Sequence, residues 1–227
     1  MENINQLEKF WSKKKVFITG HTGFKGSWLS IILTYLNSSV NGFSLKPKKN
    51  SLFNKSMISK DLKSNTYANI NDIKKLEKKI KQCKPEIIFH LAAQPLVLDS
   101  YKEPLKTFNT NMIGTLNLLE VIRRVKSVKS VVIITTDKVY KIRKDNKPYK
   151  ELDQLGGLDP YSASKVGAEI VVNSYIKSFF KNSNLQNRIS TARAGNVIGG
   201  GDFSENRLIP DIIYAINNKK KTKYKKP

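Results

Sequence analysis

Cysteine is nearly missing from this sequence, with Cys83 alone among 227 residues. An internal disulfide and a zinc site built on cysteines are therefore excluded. Acid is scarce too: 18 Asp and Glu stand against 41 Lys and Arg, for a formal net charge of +23. Arginine is scarcer still, six of those 41 basic residues. Nucleic-acid readers rely on arginine for bidentate contacts to phosphate and guanine. A lysine excess spread along the chain, with Asn and Ile abundant, reads instead as compositional drift, so no nucleic-acid partner is expected. Long apolar runs are lacking as well. The stretch Trp28 to Leu36 reaches nine residues and is broken by Ser30 and Thr34, far short of the ~20 that a membrane span needs. The opening MENINQLEKFW holds two acids and no apolar signal region, so neither export nor a membrane partner is expected. A cytoplasmic protein is the expectation.

What is present is an ordinary core-forming share of hydrophobic residues, 39%, in a chain long enough for one large α/β domain. Strand-length apolar runs alternate with amphipathic stretches. Lys15 to Thr19, Val40 to Leu45, Asn65 to Ile70, Glu86 to Leu91, Ser130 to Thr136 and Ile189 to Ala194 read as strands. Between them, Phe24 to Leu36, Ile73 to Cys83 (with Asp72 as its cap), Asn111 to Val125, Ser162 to Phe180 and Leu208 to Asn217 read as helices. Regular alternation of this kind predicts an α/β fold with a doubly wound parallel sheet.

The first strand runs into TGHTGFKG, which spaces Gly20, Gly23 and Gly26 at intervals of three. Glycines in that setting permit a tight turn, let backbone approach a pyrophosphate, and aim free N–H groups of the following helix at the anion. Lys25 is either a phosphate contact or a solvated first-turn lysine, and His21 either a spacer or a contact. The acid that normally holds a ribose hydroxyl about 20 residues later is missing, since no Asp or Glu occurs between Glu8 and Asp61. Further on, YSASK places Tyr161 and Lys165 four apart on one helix face. An ammonium there is expected to pull the phenol down toward a useful general base. Thr135, Thr136, Asp137 and Lys138 follow the central strand at its C-terminal end, the edge where open α/β sheets bind ligands. No metal site is expected.

The glycine turn, Tyr-x-x-x-Lys and the Thr-Asp pair together resemble the extended short-chain dehydrogenase/reductase superfamily. GHTGFKGSWLS, KPEIIFHLAAQPLV, TTDKVY, DPYSASK and ARAGNVIGGGD are similar, more narrowly, to the CDP-glucose 4,6-dehydratases, which share the Asp-Lys pair where related dehydratases have Asp-Glu. The resemblance implies a Rossmann domain over residues 1–218, a truncated lysine-rich tail over 219–227, and a smaller C-terminal substrate region largely absent. It implies NAD held by Gly20, Gly23, Phe24, Lys25 and Gly26, with Asn69 and Ile70 near the adenine. Ala92, Ala93 and Gln94 would lie along the nicotinamide, beside Tyr161 and Lys165. Tyr161, helped by Thr136, would take the sugar 4-hydroxyl proton as hydride leaves C4. Lys138 would then act as base at C5, and Asp137 as the acid that releases the 6-hydroxyl as water. For Lys138 to be a base, Lys165 and partial burial would have to lower its pKa. Gln94, Arg193, Asn196 and Arg207 would bind the sugar nucleotide, with a strand-end salt bridge the alternative role for Arg193. The implied partners are CDP-glucose or a related nucleotide sugar, and further copies of this chain in a dimer or tetramer. Alternatives are another nucleotide-sugar epimerase or reductase, for which Thr136, Tyr161 and Lys165 suffice, and an NAD-binding protein without turnover.

Overall fold

A parallel strand buried on both faces carries apolar residues that alternate between two helix layers. In the computed structural model, which describes residues 2–145 and 147–220, β1 (Lys15–Thr19) does this residue by residue. Phe17 joins one buried cluster with Leu76, Ile80, Leu118 and Val172, while Val16 and Ile18 join another with Leu33 and Val40. The chain opens with α1 (Glu2–Trp11) and passes through β1 into α2 (Phe24–Tyr35) and β2 (Ser39–Ser44). Next come α3 (Leu52–Lys55), β3 (Ser64–Tyr67), α4 (Ile73–Cys83) and β4 (Ile87–His90). The helices α5 (Val97–Lys102), α6 (Pro104–Phe108) and α7 (Gly114–Arg123) lead to β5 (Ser130–Ile134). The remaining elements are α8 (Pro160–Tyr175), β6 (Ile189–Ala192) and α9 (Leu208–Asn217).

The six strands lie in the order β3-β2-β1-β4-β5-β6, every neighbouring pair parallel. Strand order therefore reverses between β1 and β4, which opens a crevice at their C-terminal ends. The expected doubly wound sheet is the one observed, a Rossmann arrangement. His90 seals the floor of that crevice. It is buried, pairs in register with Thr19, and bonds the Thr19 hydroxyl through Nδ1 (2.7 Å) and the Thr115 hydroxyl through Nε2 (3.1 Å). Burial and the nearby Lys165 charge drive its pKa down to about 3, so the ring is neutral.

Several bounds differ from the sequence reading. The helix expected at Ser162 starts at Pro160, because Asp159 caps it by accepting the Ser162 N–H at 3.0 Å and proline suits the first turn. Its end, Ile176–Phe180, winds as a π-helical turn rather than continuing as α. The helix expected from Asn111 grows out of α6, with a π-helical turn at Asn109–Ile113 before α7. The sequence reading did not mark α1, α3, α5 or α6 as helices. In α1 the apolar Ile4, Leu7 and Phe10 stay exposed, and Trp11 docks against Phe89 with ring centroids 6.1 Å apart. Residues 221–227, most of the lysine-rich tail, lie outside the described residues. No described helix is long and apolar enough to cross a membrane.

Candidate active site

The glycine turn lies where β1 meets α2. Gly20 has φ +75°, and a Cβ there would stand 2.6 Å from the Ala92 nitrogen. Conformation and close approach thus both demand glycine. At Gly26 a side chain would overlap the Gly20 carbonyl oxygen, so α2 can pack against the turn only without one. Gly23 caps α2 with no side-chain hydrogen bond, and the first turn carries no acid. The helix N-terminus is therefore left to an external anion. His21 is the spacer of the two roles considered for it. It is fully buried over Gly42, with Nε2 2.7 Å from Asn65 Oδ1 and its ring edge-on to Phe53. At the end of β2, where an acid would hold a ribose, Ser44 hydrogen-bonds Thr22 at 2.8 Å.

Across the crevice, β5 is followed by Thr135 and Thr136 and then by a single 3-10 turn, Asp137–Val139. Thr136 Oγ1 donates to Asp137 Oδ1 at 3.1 Å, and the Lys138 ammonium stands 3.8 Å from the same carboxylate. Lys138 is 41% exposed, and its charged partner is Asp137. Lys165 points elsewhere, its Nζ donating to the Ile134 carbonyl at 3.0 Å. Tyr161 departs from expectation. Its phenol is held above its ordinary value by burial, against an opposing pull from the Thr136 hydroxyl. Lys165 bears the larger perturbation, lowered to about 8 by burial and then by the charge of Lys25, with Glu169 opposing. Lys25 in turn is lowered by burial and by Arg207, with Asp137 opposing. Lys25 is thus repelled by Arg207 and itself repels Lys165, with Asp137 as its counter-charge. An anionic ligand relieves such repulsion.

The other expected site residues divide by what they touch. Ala92, Ala93 and Gln94 are half-buried beyond β4, opposite the glycine turn. The Gln94 side chain is turned inward, donating to the Thr107 hydroxyl (2.9 Å) and the Leu96 carbonyl (3.0 Å). Asn69 is exposed and accepts the Asn71 N–H at 3.0 Å. Ile70 is buried against Gly114. Phe24 lines an apolar groove of about 510 Å3 with Trp28, Ile32, Val197 and Ile198. Asn196 is exposed, and Arg207 pairs with Asp202 at 3.2 Å at the start of α9. Arg193 makes a bidentate pair with Glu169 (3.0 and 3.1 Å) and donates to the Glu151 carbonyl at 2.9 Å. That is the strand-end salt bridge weighed as its alternative role.

Two supporting residues escaped the sequence reading. Asn111, buried in the first π-helical turn, bonds both the N–H (2.8 Å) and the carbonyl (3.1 Å) of Gln94, and donates to Ser164 Oγ at 2.8 Å. It ties the loop after β4 to the helix that carries Tyr161. Glu169 is an acid four residues beyond Lys165 and eight beyond Tyr161. That spacing put it on their face of α8 and was the signal available.

A family model described as GDP-mannose 4,6 dehydratase matches residues 17–226. The chain belongs to that family. Among relatives of this dehydratase-family chain, the CDP-glucose 4,6-dehydratase of Salmonella typhimurium is 45% identical over 97% of the chain and 62% of its own length. The dTDP-D-glucose 4,6-dehydratase of Dictyostelium discoideum is 34% identical over 92% of the chain and 49% of its own length. Among solved structures, a dTDP-glucose 4,6-dehydratase from Bacillus anthracis in complex with NAD superposes with a TM-score of 0.75 at 25% identity, covering 91% of this chain and 62% of that one. The chain therefore spans between about half and three-fifths of the length of these relatives.

Proposed function

We propose that this chain carries the dinucleotide-binding and catalytic part of a CDP-glucose 4,6-dehydratase, which makes CDP-4-keto-6-deoxyglucose and water for deoxysugar synthesis. One observation carries the reading: Asp137 and Lys138 stand as a pair next to Thr136, at the mouth of the Tyr161 and Lys165 site. The 45% identity to the Salmonella CDP-glucose enzyme supports the choice of nucleotide.

The glycine turn, the uncapped start of α2 and the Lys25, Lys165, Arg207 cations fit NAD, which supplies the hydride acceptor at C4 and the donor at C6. Gly20, Gly23, Phe24, Lys25 and Gly26 would hold its pyrophosphate, and Asn69 and Ile70 its adenine. Ala92, Ala93 and Gln94 would flank its nicotinamide. Tyr161 would accept the 4-hydroxyl proton as a phenolate, a form that the positive charge of bound NAD would favour against its burial, with Thr136 orienting that hydroxyl. The ketone so formed at C4 acidifies C5. A proton passed from the Lys138 ammonium to the paired Asp137 carboxylate would leave an amine to take the C5 proton and an acid to protonate the departing 6-hydroxyl; one water leaves, charge is conserved, and Lys138 then returns the proton to C5. Asn196 and Arg207 would hold the sugar nucleotide. Two copies would pair through α7, α8 and the π-helical turns that adjoin them, where Ile113 (36% exposed), Ile170 (58%) and Phe179 (49%) lie open. The work of such an enzyme is cytoplasmic.

The test is to incubate the chain with CDP-glucose and NAD and weigh the product. A nucleotide sugar lighter by one water supports the reading. Unchanged mass with inversion at C4 would make it an epimerase, and no conversion would overturn catalysis by this chain.

A further inference from the structure

Between β5 and α8 the chain must hold Asp137 and Lys138 at the solvent edge, where neither is packed. They sit on a single 3-10 turn, Asp137–Val139, capped by the Thr136 hydroxyl. What anchors that turn lies on the far side of the sheet edge. Thr135 donates its hydroxyl to Glu169 Oε1 at 2.6 Å. Glu169, which is 6% exposed, also accepts from Thr191 (2.9 Å) and from both Nε and Nη2 of Arg193. The Arg193 guanidinium covers the Tyr140 ring at 4.8 Å from its centroid, and Tyr140 is the residue that closes the turn. Through Nη1 the same guanidinium holds the Glu151 carbonyl, in the long connection that returns to α8. The residues flanking Arg193 contribute as well, because Ala192 and Ala194 carbonyls accept the Thr135 and Asp137 N–H groups at 2.9 and 3.1 Å.

We propose that the Glu169–Arg193 pair is a positioning device for Asp137 and Lys138, gripping Thr135 at one end of their turn and Tyr140 at the other. A carboxylate buried this deeply is kept only where its lone pairs are filled, and Glu169 fills them with contacts that converge on this turn. Arginine is required because a planar fork can bind the carboxylate through two nitrogens, present a third to a carbonyl and lie flat on a ring; an ammonium can do only part of this. The pair makes no hydrogen bond to Tyr161 or Lys165, and reaches Lys165 only through the charge of Glu169, so it bears more on the elimination half of the reaction than on the oxidation at C4. The assignment of those halves rests on the dehydratase reading above.

The test uses the full chain with Arg193→Lys and Tyr140→Leu, the latter removing the ring that lies beneath the guanidinium and stacks on Tyr149. In both, amide hydrogen exchange at residues 135–140 is expected to rise about tenfold, with the glycine turn at residues 20–26 unchanged. No rise at residues 135–140, or an equal rise across the sheet, would overturn the grip. Where the unmodified chain converts CDP-glucose, Arg193→Lys should enlarge the rate effect of deuterium at sugar C5 relative to deuterium at C4. An unchanged ratio would overturn the positioning role. Failure of the unmodified chain to convert CDP-glucose would sink the dehydratase reading instead, and hydrogen exchange would still decide the grip.

Discussion

Lys165 answers two opposed demands. Burial lowers its pKa to about 8, and the charge of Lys25 adds to the effect. In the unfolded chain a lysine titrates near ~10.4. Between the two values the folded protein has released a proton that the unfolded chain still binds, so stability without ligand rises as pH climbs from about 8 toward ~10.4. Affinity for an anionic dinucleotide runs the other way, because the ammonium is lost over the same interval. Calorimetric titration with NAD at about pH 7 and about pH 9 should show weaker binding at the higher pH, and Lys165→Met should flatten the difference. Tyr161→Phe removes the proposed proton acceptor but little volume. It is expected to lower turnover of CDP-glucose by about 10²- to 10⁴-fold while NAD binding, followed in the same calorimeter, is retained. The YSASK spacing made this pair legible in the sequence. Its charge state was not legible, because that depends on Lys25, 140 positions away, and on the depth of burial.

At the scale of elements, what holds the site is two helices and the ends they present. Asp159 is the cap of α8, accepting the Ser162 N–H. Asp159→Ala should cost about 1 kcal/mol in a denaturant titration. Asn111→Ala should cost more, about 1–3 kcal/mol, because it leaves both backbone groups of Gln94 without their partner. Strands and helices with strong patterns could be read directly: β1 was placed residue for residue and α4 with its Asp72 cap. The π-helical turns could not, since apolar periodicity over a short window does not distinguish one extra residue per turn. Glu169 was missed for a related reason. An acid in an amphipathic helix reads as solvent-facing until the strands supply Thr135, Thr191 and Arg193 as its partners.

The molecule as a whole is a parallel sheet whose buried polar residues set its response to acid. His90 titrates at about 3 in the fold and near ~6.5 when unfolded. Below ~6.5 the unfolded chain gains a proton that the folded one refuses, so stability falls as pH drops from there toward about 3. A thermal-melt series across that range should show a decline that is shallower in His90→Asn. The net charge of +23 belongs to this scale too: it gathers anionic ligands from a distance without choosing among them. Thr19 meets His90 across 71 positions of sequence, and the Trp28 indole donates to the Gly200 carbonyl across 172. The glycine turn leaves the ribosome early, yet the wall it faces is synthesised dozens of residues later, and the staple on its helix later still. The crevice around the turn is thus complete only once the chain has been made as far as Gly200.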